Sequence, residues 1–260
     1  MKLEQVAAIT YTIRDHCQTE SDFRKSMFKL AEIGYRAVQI STRPPIEEMK
    51  PSAILEACKD AGLTICATHE PSKTIVENPE ASVEVLQRLN CKYTAFPHPG
   101  DIDLTNLAEI ENLAKKLDHA GSVFRKAGQI LTYHNHAIEL IHLQDKTVLE
   151  HIYEKTDPAN LMAELDTYWI HAAGCCMLDW SQKLKGRLPL LHLKDIGVLQ
   201  KNQIGMMEIG AGNLDFKAII AAAETAGCEW FIVEQDHCPG DPFDSLRKSF
   251  DYIRSELVTR

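Results

Sequence analysis

The chain has no apolar run long enough to cross a bilayer, and its opening, MKLEQVAAITYTIRD, turns polar too soon to be a signal peptide. A cytoplasmic protein with no membrane partner is the expectation. It also lacks a basic patch. With 28 Lys and Arg against 37 Asp and Glu, its formal charge is −9, so it repels polyanions on average and no nucleic-acid partner is expected. The eight cysteines, Cys17, Cys58, Cys66, Cys91, Cys175, Cys176, Cys228 and Cys238, show no C-x-x-C spacing. Several lie in apolar runs, which favours reduced, buried thiols over a disulfide framework or zinc ribbon, and makes the Cys175-Cys176 pair packing rather than redox chemistry. No linker or low-complexity tract interrupts the sequence, so residues 1–260 read as one domain. Finally, no glycine-rich phosphate turn follows the first apolar run, where TIRDHCQTE stands, and no P-loop spacing occurs.

What is present is a repeated joint. KLAEIG, CKDAG, FRKAG and AETAG end at Gly34, Gly62, Gly128 and Gly227. Each glycine follows an amphipathic helical pattern and precedes an apolar run, as a left-handed helix cap turning into a strand does. Eight runs read as strands: VAAITYT, YRAVQIS, LTICATH, KYTAFP, QILTYHNH, NLMAELD, LPLLHLKD and WFIVEQD. They are almost continuously apolar, the pattern of strands covered on both faces, and helical stretches such as SDFRKSMFKLAEI and NLDFKAIIAAAETA separate most of them. Eight β/α units in 260 residues predict an α/β fold, a single (β/α)₈ TIM barrel, over a doubly wound sheet, whose usual clue is the missing phosphate turn.

A barrel builds its active site from the C-terminal ends of its strands. Those ends carry Tyr11 and Arg14, Gln39, His69, His98, His134 and His136, Asp166, His192 and Lys194, and Glu234 and Asp236. Alternation groups Thr132, His134 and His136 on one face of strand five, and Met162, Glu164 and Asp166 on one face of strand six. It likewise groups Leu190, His192 and Lys194 on strand seven, and Ile232, Glu234 and Asp236 on strand eight. Four consecutive strands thus aim imidazole or carboxylate at one mouth. Such mixed nitrogen and oxygen donors suit Mn²⁺, Zn²⁺, Co²⁺ or Fe²⁺ better than Ca²⁺. Singly, several have plainer readings: Asp166 caps a short helix, His192 is a core histidine bonded to a carbonyl, and Lys194 pairs with Asp195. Glu234, after WFIV, is costly to bury without a cation or hydrogen-bond donors. The joint occurrence favours the metal site.

Through YTIRD, KLAEIGYRAVQI, TYHNHAIE, ELDTYWIHAAG, GRLPLLHLKD, EIGAGNLDF and WFIVEQD, the chain resembles, nearly end to end, the xylose isomerase-like TIM barrel superfamily. Within it the likeness is to the sugar phosphate isomerases/epimerases, with inosose dehydratase a close cousin. The resemblance implies one divalent ion, Mn²⁺, Zn²⁺, Co²⁺ or Mg²⁺, held at the ends of strands five to eight. Asp166, His192 and Glu234 match three ligand positions. Epimerases of this type usually place a Glu on strand five, where it both ligates the ion and moves a proton. Here His134 stands at that position and Glu139 is the nearest carboxylate, so the expected ligands are His134, Asp166, His192 and Glu234.

The implied chemistry is proton abstraction beside the carbonyl of a keto or aldo sugar, giving an enediolate that the ion stabilises. Reprotonation isomerises or epimerises; loss of a β-hydroxyl dehydrates, and an imidazole at position 134 leaves room for that outcome. Glu234, His136 and Glu139 are the acid and base candidates, and Lys194 the group for an oxyanion. Tyr11, Arg14, His69, His98, Trp169 and Asp236 are the expected substrate contacts, with Trp169 an apolar wall against a sugar ring. EIGAGNLDF reads as a loop leading to a helix capped near Asn213 or Asp215, and gives no ground for a substrate phosphate. Two rivals rank low. An endonuclease IV-type nuclease needs a larger metal cluster and a basic DNA face, and a non-catalytic binding protein has no need of Asp166, His192, Lys194 and Glu234 together. A homodimer through outer helices is compatible with the class.

Overall fold

The alternation of amphipathic helix and apolar run closes on itself. In the computed structural model, which describes residues 1–258, eight parallel strands form a closed barrel in chain order. They are β1 (Val6–Ile9), β2 (Ala37–Ser41), β3 (Thr64–His69), β4 (Tyr93–Phe96), β5 (Ile130–His134), β6 (Leu161–Asp166), β7 (Leu190–Leu193) and β8 (Trp230–Val233), with β8 pairing back onto β1. Outside lie α1 (Glu20–Ile33), α2 (Pro51–Asp60), α3 (Ser72–Glu77), α4 (Pro79–Arg88), α5 (Leu107–Lys126) and α6 (Val148–Glu154). They are followed by α7 (Thr167–Ala172), α8 (Met177–Lys183), α9 (Phe216–Ala226) and α10 (Pro242–Tyr252). Two antiparallel ribbons, His142–Leu143 with Lys146–Thr147 and Asp195–Val198 with Ile204–Met207, decorate the loops after β5 and β7. No helix among the described residues is long and apolar enough to cross a membrane.

The local devices are those the sequence advertises. Thr19 accepts a hydrogen bond from the Asp22 amide at 3.1 Å to start α1, and Asp215 does the same for the Ala218 amide to start α9. The joint glycines Gly34, Gly62, Gly128 and Gly227 all have positive φ, between +74° and +127°. At Gly34 a side chain is excluded twice over, because a Cβ there would also run into the Phe250 ring.

The strands are shorter than the apolar runs that announced them. VAAITYT forms strand only as far as Ile9, and QILTYHNH only as far as His134. The remaining residues lie in turn or loop, with Thr10, Thr12 and Asn135 buried and Tyr11 and His136 half-buried, so the inward-facing run carries on past the end of the ladder. The cysteines are free, and Cys17, Cys58, Cys66, Cys91 and Cys228 are buried as expected, but Cys176 is exposed; only its neighbour Cys175 packs on the core.

Two cores result. A large one fills the space between strands and helices, and a small one, Ala7, Ile9, Ala37, Cys66, Ala67, Tyr93, Leu190 and Ile232, plugs the barrel itself. That apolar plug forms the floor on which a polar layer rests.

Candidate metal centre at the barrel mouth

Strand register decides which side chains meet. His134 on β5 stands opposite Glu164 on β6, Asp166 opposite His192 on β7, and His192 opposite Ile232 on β8. Inward-facing positions two apart then build a layer of Gln39, His69, His134, Glu164, Asp166, His192, Lys194 and Glu234, every one buried.

Two groups of potential ligands share this layer. The donor atoms of His69, His134, Glu164 and His192 lie within 4.8 Å of one another, and so do those of His134, Asp166, His192 and Glu234. In the first, inner group, Glu164 Oε1 contacts His69 Nε2 and lies 3.1 Å from His192 Nε2 and 3.3 Å from His134 Nδ1. Gln39 Nε2 donates to the other carboxylate oxygen at 2.7 Å. In the second, outer group, His192 Nδ1 lies 2.9 Å from Glu234 Oε2. Lys194 Nζ stands 2.8 Å from Glu234 Oε2, 3.0 Å from Asp166 Oδ2 and 3.0 Å from Asp236 Oδ1. Asp166 serves both of its sequence readings, since Oδ1 accepts from the Trp169 amide at 3.0 Å and caps α7 while Oδ2 faces Lys194.

Burial and charge set the protonation states. Burial drives the His134 imidazole down to about 4 and the neighbouring charge of His192 adds to it; burial, His134 and Lys194 push His136 to about 2, so both rings are neutral. Burial opposes charge on His192 too, but Glu164 and Glu234 on its two sides outweigh it and lift the ring to about 10. Burial alone would raise Glu164 and Glu234; the cations around them prevail and hold both well below the usual carboxylate range. Asp236 goes the other way, raised to about 6 by burial and by Glu234.

Above this layer opens a cavity of about 320 Å³, a size suited to a small polar ligand. His69, His134, His136, Lys194, Glu234 and Asp236 line it, together with Tyr11, His98 and Glu70. His136 lies beyond the end of β5, yet its ring reaches the cavity, 5.5 Å from Trp169, whose indole also sits 5.5 Å from Lys194 Nζ. Arg14 lies beside the cavity rather than in it: it stacks on Tyr11 at 4.5 Å and donates to the carbonyls of Tyr11 and Asp236.

Two expectations are corrected. Glu139 is fully buried away from the cavity: Oε1 accepts from the Tyr133 hydroxyl at 3.0 Å and Oε2 from the His136 amide at 2.8 Å. Both oxygens are hydrogen-bonded within the loop, and the residue does not line the cavity. Asp195 is not the partner of Lys194. It accepts from the amides of Ile196, Gly210, Gly212 and Leu214, which ties down the EIGAGNLDF loop. Three residues were not singled out for the site from sequence. Glu164 shares a strand face with Asp166 and Gln39 stands among the polar strand ends, both usable signals; the cavity position of Glu70 had none.

The donors fit a divalent ion: imidazoles and carboxylates converge without a thiol, and His134 Nδ1 is buried with no hydrogen-bond partner. A parallel barrel with such a layer at its C-terminal mouth carries its polar groups where TIM-barrel active sites lie. More narrowly, the chain belongs to the xylose isomerase-like TIM barrel family, whose pattern matches residues 28–256. Among curated relatives, the inosose dehydratase of Geobacillus thermodenitrificans is 29% identical over 56% of this chain, which spans 54% of that protein's length. The inosose dehydratase of Mesomycoplasma hyopneumoniae is 26% identical over 96% of this chain and 94% of its own. Among solved structures, a sugar phosphate isomerase/epimerase from Parabacteroides distasonis superposes with a TM-score of 0.83 at 20% identity, covering 99% of this chain and 96% of the other.

Proposed function

We propose that this protein is a divalent-metal-dependent isomerase or epimerase acting on a keto or aldo sugar. The observation that carries the reading is Lys194, an ammonium 1% exposed, held among Asp166, Glu234 and Asp236 at the floor of a sugar-sized cavity and beside His134 and His192. A bound ion, kept by His134 and His192 with carboxylates from the same layer, supplies Lewis acidity toward the substrate's oxygens.

Glu234 is ionised and faces the cavity, so it accepts the proton from the carbon next to the carbonyl. The same contacts that keep it ionised also fix its orientation. Lys194 Nζ meets the negative charge that develops on oxygen, and its near-complete burial makes that interaction stronger than it would be in water. Asp236, titrating at about 6, holds a proton often enough to return one. Trp169 walls the site behind His136 and excludes water from that side. The amides of Gly210, Gly212 and Leu214 are occupied by Asp195, which supports a substrate without phosphate at this loop.

A second reading is a dehydratase, favoured by the inosose dehydratase relatives and by an imidazole at position 134 where epimerases of this type carry Glu. Glu234 would again remove the α-proton, and Asp236 would protonate the departing β-hydroxyl, which leaves as water. Proton NMR of Mn²⁺-loaded protein in D₂O with ketohexoses, inososes and 3-keto-glycosides separates the readings. Deuterium next to the carbonyl with every hydroxyl retained supports isomerase or epimerase chemistry, and loss of a hydroxyl moves the assignment to the dehydratase. A protein that neither binds metal nor exchanges any substrate proton is a binding protein.

A further inference from the structure

His192 is expected to give the ion one nitrogen, and its ring has two. Nδ1 lies 2.9 Å from Glu234 Oε2, whose side chain lines the cavity, while Nε2 lies 2.7 Å from Gln39 Oε1 and 3.1 Å from Glu164 Oε1, on two buried side chains that do not. Hydrogen-bond polarity chooses between them. Glu164 is ionised and only accepts, so the side-chain amide of Gln39 must turn its NH₂ to Glu164 Oε2, at 2.7 Å. Its carbonyl oxygen then faces His192 Nε2 and can only accept there, so Nε2 carries the donated proton. Nδ1, beside Glu234, is the nitrogen left for the ion, and its own proton departs on ligation.

Glu164 Oε1 treats a second imidazole in the same way. It contacts His69 Nε2, and the rings of His69 and His192 stack at 5° with centroids 5.4 Å apart, both turning Nε2 to this one oxygen. His69 lines the cavity, and its Nδ1 has no hydrogen-bond partner among the described residues. In the neutral ring, with the proton on Nε2, Nδ1 only accepts, which suits a substrate hydroxyl. His134 is not held like this. Its Nδ1 stands 3.3 Å from Glu164 Oε1 without a hydrogen bond and stays open to an ion.

We infer that Glu164 and Gln39 are positioning residues: together they fix His192 so that Nδ1 meets the ion, and Glu164 fixes His69 so that Nδ1 meets a hydroxyl of the substrate. The first half rests on the ion of the reading above, and the second does not. A carboxylate or carbonyl on the far nitrogen of a ligating histidine aims the ring and makes it a stronger ligand. Here a single buried carboxylate serves a metal ligand and a substrate contact from two different strands.

The test uses wild type, Glu164→Leu and Gln39→Leu, each checked for folding by circular dichroism. Co²⁺ binding is followed by calorimetry and by the visible absorption of the bound ion. Nitrogen-15 NMR of metal-free protein at about pH 8, above the ordinary histidine range, reads the tautomer of His69. The expected result is a fall in Co²⁺ affinity of roughly 10- to 100-fold in both variants, with a shifted absorption band. His69 should carry its proton on Nε2 in wild type and lose that preference in Glu164→Leu. Co²⁺ affinity within about threefold of wild type and an unchanged spectrum in either folded variant overturns the inference, as does a His69 proton on Nδ1 in wild type. If Glu164→Leu does not fold, Gln39→Leu decides for His192 and the wild-type tautomer for His69. Absence of Co²⁺ binding by wild type would defeat the proposed function instead, and the tautomer of His69 would then decide this inference alone.

Discussion

Lys194 Nζ lies 2.8 Å from Glu234 Oε2, and the two side chains hold each other charged in a place where water scarcely reaches either. Removing the cation strands Glu234, Asp166 and Asp236 together. Lys194→Met is therefore expected to lower the unfolding free energy by about 3–5 kcal/mol at pH 7. The deficit should shrink near pH 5, where the orphaned carboxyls can protonate. Urea titrations at the two pH values measure both effects.

Asp236 gives a pH signature of opposite sign to an ordinary salt-bridged carboxylate. Its pKa is 3.8 when unperturbed and about 6 in the fold. The folded state binds that proton more tightly, so the group's contribution to stability is full below 3.8 and lost as pH rises through about 6. In chelator-treated protein, Asp236→Asn should gain on wild type by about 2 kcal/mol between pH 4 and pH 7. Denaturant midpoints across that range report the difference. Glu164 must run the other way, its stabilisation present above 4.5 and lost as pH falls further, because its folded pKa is depressed.

Glu139 braces the loop that carries His136, and touches no part of the cavity. Glu139→Gln keeps an acceptor for one of its two donors and should cost about 1–3 kcal/mol of stability, with kcat reduced less than tenfold. Burial raises its carboxyl to about 7, so the wild-type group itself stabilises less as pH climbs from 4.5 past 7. A loss of activity as deep as that of a Glu234 variant would restore Glu139 to the chemistry.

How much of this was legible beforehand differs from residue to residue. The eight strands follow from near-continuous apolar runs, and the inward rows at His134, Asp166, His192 and Glu234 from a period of two; neither depends on anything distant. The same rule already separated Lys194 from Asp195, since neighbours on a strand point to opposite faces. By contrast, the contact of His69 with Glu164 spans 95 residues and that of Gln39 with Glu164 spans 125, and no local pattern records such pairings. The amides that Asp195 gathers from residues 210–214 escaped for the same reason. A glycine-bearing loop looks alike whether its N–H groups hold a substrate or a carboxylate of the same chain.

The central claim is that Glu234 takes a proton from the carbon beside a sugar carbonyl. The direct measurement is the rate at which deuterium from D₂O enters that position in metal-loaded wild type and in Glu234→Gln, with the keto sugar that wild type labels fastest. Ready exchange in wild type and a fall of at least about 100-fold in the variant are expected when the two are compared at equal metal occupancy. Exchange at the wild-type rate in Glu234→Gln, or no exchange by wild type with any sugar, would contradict it.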